Sequence, residues 1–305
     1  THITTSISQA RLSAREEARM RLEKLDSPWT AERLSEFIKA TLKDRPILVV
    51  SNREPYEHYT DSKGNISYKV PAGGVVTAIE PVMAACKGTW IAWGSGDADK
   101  KVVDKDNKIK VPPHEPKYTL KRVWLSDKEI AGYYNGFSNE AMYPLCLMAH
   151  TRPLFRKEDW EEYKKVNGIF AKSVLEEIKD IQNPFILIQD YHLALLPQMI
   201  KKNRPDAQIG IFWHVPWPNP EAFSVCPWRK EILQGMLGAD IVGFHIQQFC
   251  NNFINTVGKE MESLCDFEQF AVTFQNHTSY IKSFPIGIAF TGGNGEPKHD
   301  PSVGK

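Results

Sequence analysis

The sequence predicts an α/β fold built on a parallel sheet covered on both faces. Three observations carry that prediction. Short uninterrupted apolar runs recur at residues 47–50, 89–93, 185–188, 209–213 and 241–244, the pattern of strands buried on both faces. Segments with helical spacing alternate with these runs. The clearest covers residues 160–181, where Tyr163, Val166, Phe170, Val174, Ile178 and Ile181 share one face. Finally, 305 residues suffice for one large α/β domain or two small ones.

Taken in order, the elements begin with a helical N-terminal extension over residues 1–45. Residues 10–25 are rich in Arg, Glu and Ala and read as a solvated helix, broken by Ser27 and Pro28. Residues 29–42 read as a second, amphipathic helix, with Leu34, Phe37, Ile38 and Leu42 on one face. The extension either packs on the main domain or contacts a second copy of the chain. The main domain spans residues 46–290. Its first strand, at 47–50, runs into Ser51, Asn52, Arg53, Glu54 and Pro55. Pro71, Ala72, Gly73 and Gly74 then lead into an apolar helix over 75–85, followed by the strand at 89–93. Residues 97–116, dense in Lys, Asp and Pro, read as an exposed hairpin or loop. The long helix at 160–181 precedes the strand at 185–188. Shorter helices at 192–200 and 229–237 separate the last two strands, at 209–213 and 241–244. Residues 291–305 hold Gly, Pro and charge without periodicity and read as a disordered tail or a truncated linker.

Composition narrows the function classes. Lys plus Arg number 38 against 37 Asp plus Glu, a formal net charge of +1, which gives no electrostatic footprint for nucleic acid or an acidic membrane surface. The apolar runs are too short to span a bilayer, and the polar N-terminal stretch carries no apolar signal core. The five cysteines, Cys86, Cys146, Cys226, Cys250 and Cys265, are scattered and form no CxxC pair. That usage fits a reducing cytoplasm and gives no metal-binding signature. GxGxxG, GxxxxGK[ST], GxSxG and HExxH are absent from the sequence, against a dinucleotide fingerprint, a P-loop, a serine hydrolase elbow and a zincin.

Ligands of parallel α/β sheets bind at the carboxyl ends of the strands, and four clusters fall there. Gly73 and Gly74 before a helix either form a turn or let backbone N–H groups cradle an anion, with Arg53 closing on the same phosphate. Tyr133, Tyr134, Asn135, Gly136, Phe137, Ser138 and Asn139, followed by Tyr143 and Pro144, are either core or a platform for sugar rings. Asp190 and His192, either side of Tyr191, put a carboxylate and an imidazole past a strand end as candidates for acid/base or hydroxyl-binding roles, while Asp190 instead or also caps the next helix. His214 stands past a strand on a loop stiffened by Pro216, Pro218 and Pro220, as a core histidine or part of a preorganised site.

These segments, in this order, resemble the trehalose-6-phosphate synthase family. The resemblance rests on five motifs: Val50, Ser51, Asn52, Arg53; Ala72, Gly73, Gly74; the Tyr133 to Asn139 run; Asp190, Tyr191, His192, Leu193; and His214, Val215, Pro216, Trp217, Pro218. Gly243, Phe244, His245 and the segment Phe284, Pro285, Ile286, Gly287, Ile288 match as well. The resemblance implies a Rossmann-like doubly wound sheet, the N-terminal domain of a GT-B retaining glycosyltransferase. It implies transfer of glucose from a nucleotide sugar, UDP-glucose in most of the family, to glucose 6-phosphate, with no cofactor or metal. By the same resemblance Arg53, Gly73 and Gly74 close over phosphates, Tyr134 and Tyr143 contact the acceptor sugar, Asp190 pairs with an acceptor hydroxyl, and His214 touches the transferred glucose. Arg53, Asp190 and His214 are thus the expected catalytic groups.

Two departures qualify what the resemblance implies. Position 143 is Tyr where the family commonly has Trp, which brings in glucosylglycerol-phosphate synthases and their glycerol 3-phosphate acceptor. The second Rossmann domain that grips the nucleotide has no counterpart here, so the chain resembles the acceptor-side half. It then needs a C-terminal donor domain or a partner chain, or it serves as a sugar-phosphate-binding module without turnover.

Overall fold

The computed structural model describes residues 31–42, 45–71, 74–149 and 151–285. Its contacts divide the chain into two units, Thr1–Lys43 and Asp44–Lys305. In the first, the described element is helix α1 (Ala31–Leu42), where the spacing predicts it; Leu42 is buried and Phe37 exposed. The helix expected over 10–25, Gly73, the match at Ile286, Gly287 and Ile288, and the tail at 291–305 lie outside the described residues.

The second unit follows the predicted alternation. Strand β1 (Ile47–Arg53) precedes a hairpin of β2 (Glu57–Thr60) and β3 (Ile66–Lys69), then helix α2 (Gly74–Cys86), β4 (Thr89–Trp93), the turn α3 (Asp99–Val102), β5 (Lys108–Val111) and β6 (Tyr118–Val123). A continuous helical run comes next: α4 (Asp127–Glu129), a π-helix (Ile130–Met142) and α5 (Tyr143–Leu147). Helix α6 (Lys157–Glu177), β7 (Phe185–Gln189), a 3-10 turn (Tyr191–Leu193), α7 (Leu196–Asn203), β8 (Gln208–Phe212), α8 (Pro220–Phe223), α9 (Arg229–Met236), β9 (Ile241–Phe244), α10 (Gln247–Glu260), β10 (Leu264–Asp266), β11 (Ala271–Phe274) and β12 (His277–Ser283) complete it.

The main sheet has the order β10-β11-β12-β9-β8-β7-β1-β4-β6-β5. The seven strands from β12 to β6 run parallel, and β5, β10 and β11 are antiparallel additions at the edges. From β1 the chain first winds outward through β4 and β6. It then returns to the other side of β1 as β7 and winds outward through β8 and β9. The reversal between β1 and β7, with Val50 opposite Ile188, is a topological switch point, where the crossing helices diverge and leave a crevice.

The strands read as apolar because the sheet is covered on both faces: Val49, Val50, Ile91, Ile186, Ile188 and Val242 are all but inaccessible. The π-helix packs on α6 through Phe137, 4.4 Å centroid to centroid from Tyr163, and through Gly136. A Cβ at Gly136 would stand 2.3 Å from the Asp159 carboxyl carbon, so this close approach admits no side chain there. The whole helical run is started by Ser126. Its side chain accepts from the Glu129 amide, and the Ser126 amide in turn donates to the Glu129 carboxylate at 2.7 Å. Ser126→Ala is expected to lower unfolding stability by about 1 kcal/mol, as loss of such a cap does; a urea titration reads it.

One expectation is corrected and two open readings are resolved. Of the hairpin and the loop given for residues 97–116, the hairpin holds, with β5 antiparallel to the next strand β6, but the stretch is not wholly exposed: it also holds α3 and the fully buried Asp99. Asp99 escapes the rule for charged residues because Arg122 meets it at 2.8 Å. The helix expected from His192 begins at Leu196, after the 3-10 turn. The aromatic run divides between the two readings given for it: Tyr133 and Phe137 are core, whereas Tyr134 is partly exposed.

Candidate active site at the switch point

The crevice between β1 and β7 holds a cavity of about 230 Å³. Ser51, Asn52 and Arg53 from the end of β1, Gly74 to Val76 from the start of α2, Tyr134 from the π-helix, and Gln189 to His192 from the end of β7 line it. Arg53, Gly74, Tyr134 and Asp190, named from four separate segments of sequence, therefore share one cavity. His214 lines an adjoining cavity of about 230 Å³, with Ile79, Leu187, Phe212 and Phe284 among its walls. Gln189 lines both. Tyr143 stands outside these linings. It is exposed, with its ring 6.1 Å from that of Tyr191.

Arg53 is aimed by a bulge. The register of β1 on β4 shifts between Ser51 and Arg53, so Asn52 is an inserted residue that bends the strand end. Two side-chain bonds hold the bend: the Ser51 hydroxyl donates to the Arg53 carbonyl at 2.7 Å, and the Trp90 indole donates to the Ser51 hydroxyl at 2.7 Å. Asn52 is buried, and its Oδ1 accepts from the Tyr133 hydroxyl at 3.0 Å. The Arg53 guanidinium then reaches the Tyr134 hydroxyl at 3.0 Å, which raises its already high pKa. Gly74 opens helix α2 at the cavity wall. It stands at the end of the helix where the dipole is positive, which favours an anion in the cavity.

Asp190 is the strained member. Its φ of 72° and ψ of 170° are rare for any residue but glycine, and such strain concentrates at functional sites. Its backbone N–H donates to the Phe212 carbonyl at 2.7 Å. Its carboxylate Oδ1 accepts from the backbone N–H groups of Tyr191 at 3.0 Å and His214 at 3.1 Å. Burial pushes its pKa up to about 6, against the pull of those two bonds. The capping carboxylate is thus also one that lines the cavity.

The aromatic wall includes a histidine. His192 stacks on Tyr134 at 5.8 Å and on Tyr191 at 4.1 Å, and Tyr134 also lies 6.0 Å from Trp93. Burial, then the positive Arg53 nearby, drives the His192 pKa down to about 3, so the imidazole is neutral. Burial and His245 bring His214 down to about 4. Among the lining residues, Asn52 and Gln189 were given no role from sequence, whereas the His192 imidazole was a candidate beside Asp190 and does line the cavity. For Asn52 and Gln189 the available signal was position: each is adjacent to a flagged residue at a strand end. Among the described residues, no group of three or more His, Cys, Asp and Glu is placed to hold a metal ion, and no helix is long and apolar enough to cross a membrane.

Comparison with known proteins agrees with this architecture. The trehalose-6-phosphate synthase of Mycobacterium ulcerans (strain Agy99) is 38% identical over 212 residues, 69% of this chain and 41% of that protein. That of Mycobacterium leprae (strain TN) is 36% identical over 256 residues, 81% of this chain and 50% of that protein. The chain thus spans about half the length of the curated relatives it matches. A solved trehalose-6-phosphate structure from E. coli superposes with a TM-score of 0.65 at 26% identity, over 80% of this chain and 49% of that one. A trehalose-phosphate synthase from Burkholderia xenovorans shares the fold with a TM-score of 0.64 at 22% identity, over 80% of this chain and 50% of that one. The family model for glycosyltransferase family 20 matches residues 45–293, the span that contains the sheet, both cavities and every described residue that lines them. The chain belongs to glycosyltransferase family 20.

Proposed function

We propose that this chain is the acceptor-binding half of a trehalose-6-phosphate synthase, transferring glucose from UDP-glucose to glucose 6-phosphate with retention. The observation that carries the reading is the convergence of Arg53, Gly74, Tyr134 and Asp190 on one cavity at the switch point of the sheet. Two relatives support it by what they bind: the E. coli structure holds UDP-2-fluoro glucose and the Burkholderia xenovorans structure glucose-6-phosphate. In this reading the phosphate of the acceptor sits between the Arg53 guanidinium and the N-terminus of α2, where fixed donors and the helix dipole favour an anion. The Gly73 and Gly74 backbone closes over it. Tyr134 and the outlying Tyr143 face the sugar, and the Asp190 carboxylate accepts from its hydroxyl. His214, in the adjoining cavity, faces the transferred glucose. The chain's contribution to rate is placement of the acceptor hydroxyl against the sugar carbon that leaves the diphosphate. The nucleotide is gripped by a C-terminal domain or a partner chain. Five free cysteines suit a reducing cytoplasm.

Calorimetric titration of the chain with glucose 6-phosphate and with glycerol 3-phosphate tests this. Preferential binding of glucose 6-phosphate is the expected result. Preference for glycerol 3-phosphate moves the chain to the glucosylglycerol-phosphate branch, and silence with both ligands overturns the acceptor-site reading.

Binding is also expected to follow pH. The Asp190 carboxylate, with its pKa raised to about 6, is the hydroxyl acceptor only while ionised. Affinity therefore falls as pH drops from about 7 to 5. The ligand's own phosphate titrates near pH 6 as well, so Asp190→Asn is the control. Affinity of the variant should be lower at pH 7 and should keep only the phosphate's share of the slope. An identical pH profile in the variant removes Asp190 from the site.

A further inference from the structure

Gln189 ends β7 with 2% of its surface exposed and, among the described residues, is the one common to the walls of both cavities. Its Oε1 lies 2.8 Å from Nε2 of His214. In this amide orientation, which leaves the buried Gln189 Nε2 without a hydrogen-bond partner among the described residues, the carbonyl oxygen accepts, so the proton sits on His214 Nε2 and Nδ1 keeps its lone pair. Other contacts fix the ring in place. The His214 backbone N–H is bound to Asp190. The ring lies 4.6 Å from Phe212 and 5.5 Å from His245. The titratable neighbours around it are His245, His192 and, through the backbone, Asp190. The partner at Nε2 is a neutral amide, which stabilises an imidazolium far less than a carboxylate there would.

We propose that Gln189 is a positioning residue whose amide carbonyl holds His214 as the neutral Nε2–H tautomer, so that the imidazole meets a ligand hydroxyl as an acceptor through Nδ1. The part concerning the ligand rests on the reading of the site given above; the tautomer itself does not. The fixed tautomer decides which way a hydroxyl must point its hydrogen at His214. It makes His214 a selector of sugar orientation rather than a proton donor.

The test is imidazole ¹⁵N–¹H correlation spectroscopy on the 305-residue chain, with His214→Asn identifying the signal among nine histidines. Protonated Nε2 and bare Nδ1 are expected for His214. Gln189→Met, of similar size, should leave circular dichroism unchanged and turn the single tautomer into a mixture. Gln189→Glu should keep Nε2 protonated and raise the His214 titration midpoint by about 1 to 3 pH units, as a carboxylate neighbour does. A wild-type signal protonated on Nδ1, or a Gln189→Met spectrum with the wild-type tautomer, overturns the proposal. These readouts need no ligand. Failure of the acceptor-site reading appears separately, as an absence of heat with glucose 6-phosphate.

Discussion

Arg53→Ala is expected to weaken glucose 6-phosphate binding by ~1.5–3 kcal/mol, about tenfold to 150-fold, as loss of a charge-assisted hydrogen bond to a phosphate does. The fold should be untouched, because the Arg53 side chain is exposed and its hydrogen-bond partner is the Tyr134 hydroxyl at 3.0 Å. Arg53→Lys separates charge from geometry. An ammonium keeps the charge but not the planar fork, so the variant should recover part of the affinity. Tyr134→Phe removes the hydroxyl that holds the guanidinium and should cost less, about 0.5–1.5 kcal/mol. Titration calorimetry at constant salt ranks the three. If Arg53→Ala binds as the parent does, Arg53 is not a phosphate ligand and the anion lies elsewhere.

What made Arg53 visible in the sequence was its place after an uninterrupted apolar run. That logic worked where burial alone decides. Strands β4 and β9 stand at the predicted residues, since both faces of the sheet are covered and nothing polar interrupts those runs. It failed at β6, whose Lys121 and Arg122 look like surface residues yet are buried. Their partners, Glu177 at 2.9 Å and Glu54 at 2.7 Å, lie over fifty positions away, and no local pattern announces a long-range ion pair. The π-helix escaped for a different reason. An i to i+5 hydrogen-bond period presents aromatics at spacings that match neither strand nor α-helix, so Tyr133 to Asn139 read as a cluster without an element. Gln189 was missed because a glutamine ending an apolar strand has no motif. Its meaning comes from His214, twenty-five positions on.

The network around Arg122 explains how β1 can end where it does. Arg122 is buried on β6 and spends its guanidinium on Glu54, Tyr56 and Asp99, with His58 Nδ1 also 2.8 Å from Nη2. Nε donates to Glu54 at 2.7 Å, Nη1 to the Asp99 carbonyl at 3.2 Å, and Nη2 to the Tyr56 carbonyl and the Asp99 carboxylate, each at 2.8 Å. Glu54 also accepts from the Ser95 amide at 2.9 Å. The residues just beyond Arg53 are therefore tied to β6 and to the loop after β4, which sets the direction in which Arg53 leaves the sheet. One guanidinium serves two buried carboxyls. Burial, with Asp99 next to it, pushes Glu54 up to about 8 despite the cation, whereas hydrogen bonds from His58 and Glu54, with the Arg122 charge, together more than offset the burial of Asp99 and keep it low.

Removing Arg122 leaves those two carboxyls without their cation. Arg122→Met is expected to lower unfolding stability by about 3–5 kcal/mol at pH 8, the cost of a buried charge left alone. The sign with pH is fixed by linkage. Without the cation, Glu54 rises further above its unfolded value and Asp99 loses one of the groups that keep it low, and a raised carboxyl pKa destabilises the fold only at pH values where the unfolded group is ionised. The deficit should be small near pH 5 and grow as pH rises, with Glu54, already protonated in the parent fold below about pH 8, adding its share only above that pH. Arg122→Lys should lose less at pH 8, because it keeps a charge near Glu54 while giving up the fork. Urea titrations at pH 8 and pH 5 read all three proteins. A loss below about 1 kcal/mol at pH 8, or one that does not depend on pH, would show that Arg122 is not what keeps the carboxyls buried. Arg53 would then be held by the Ser51 bulge alone.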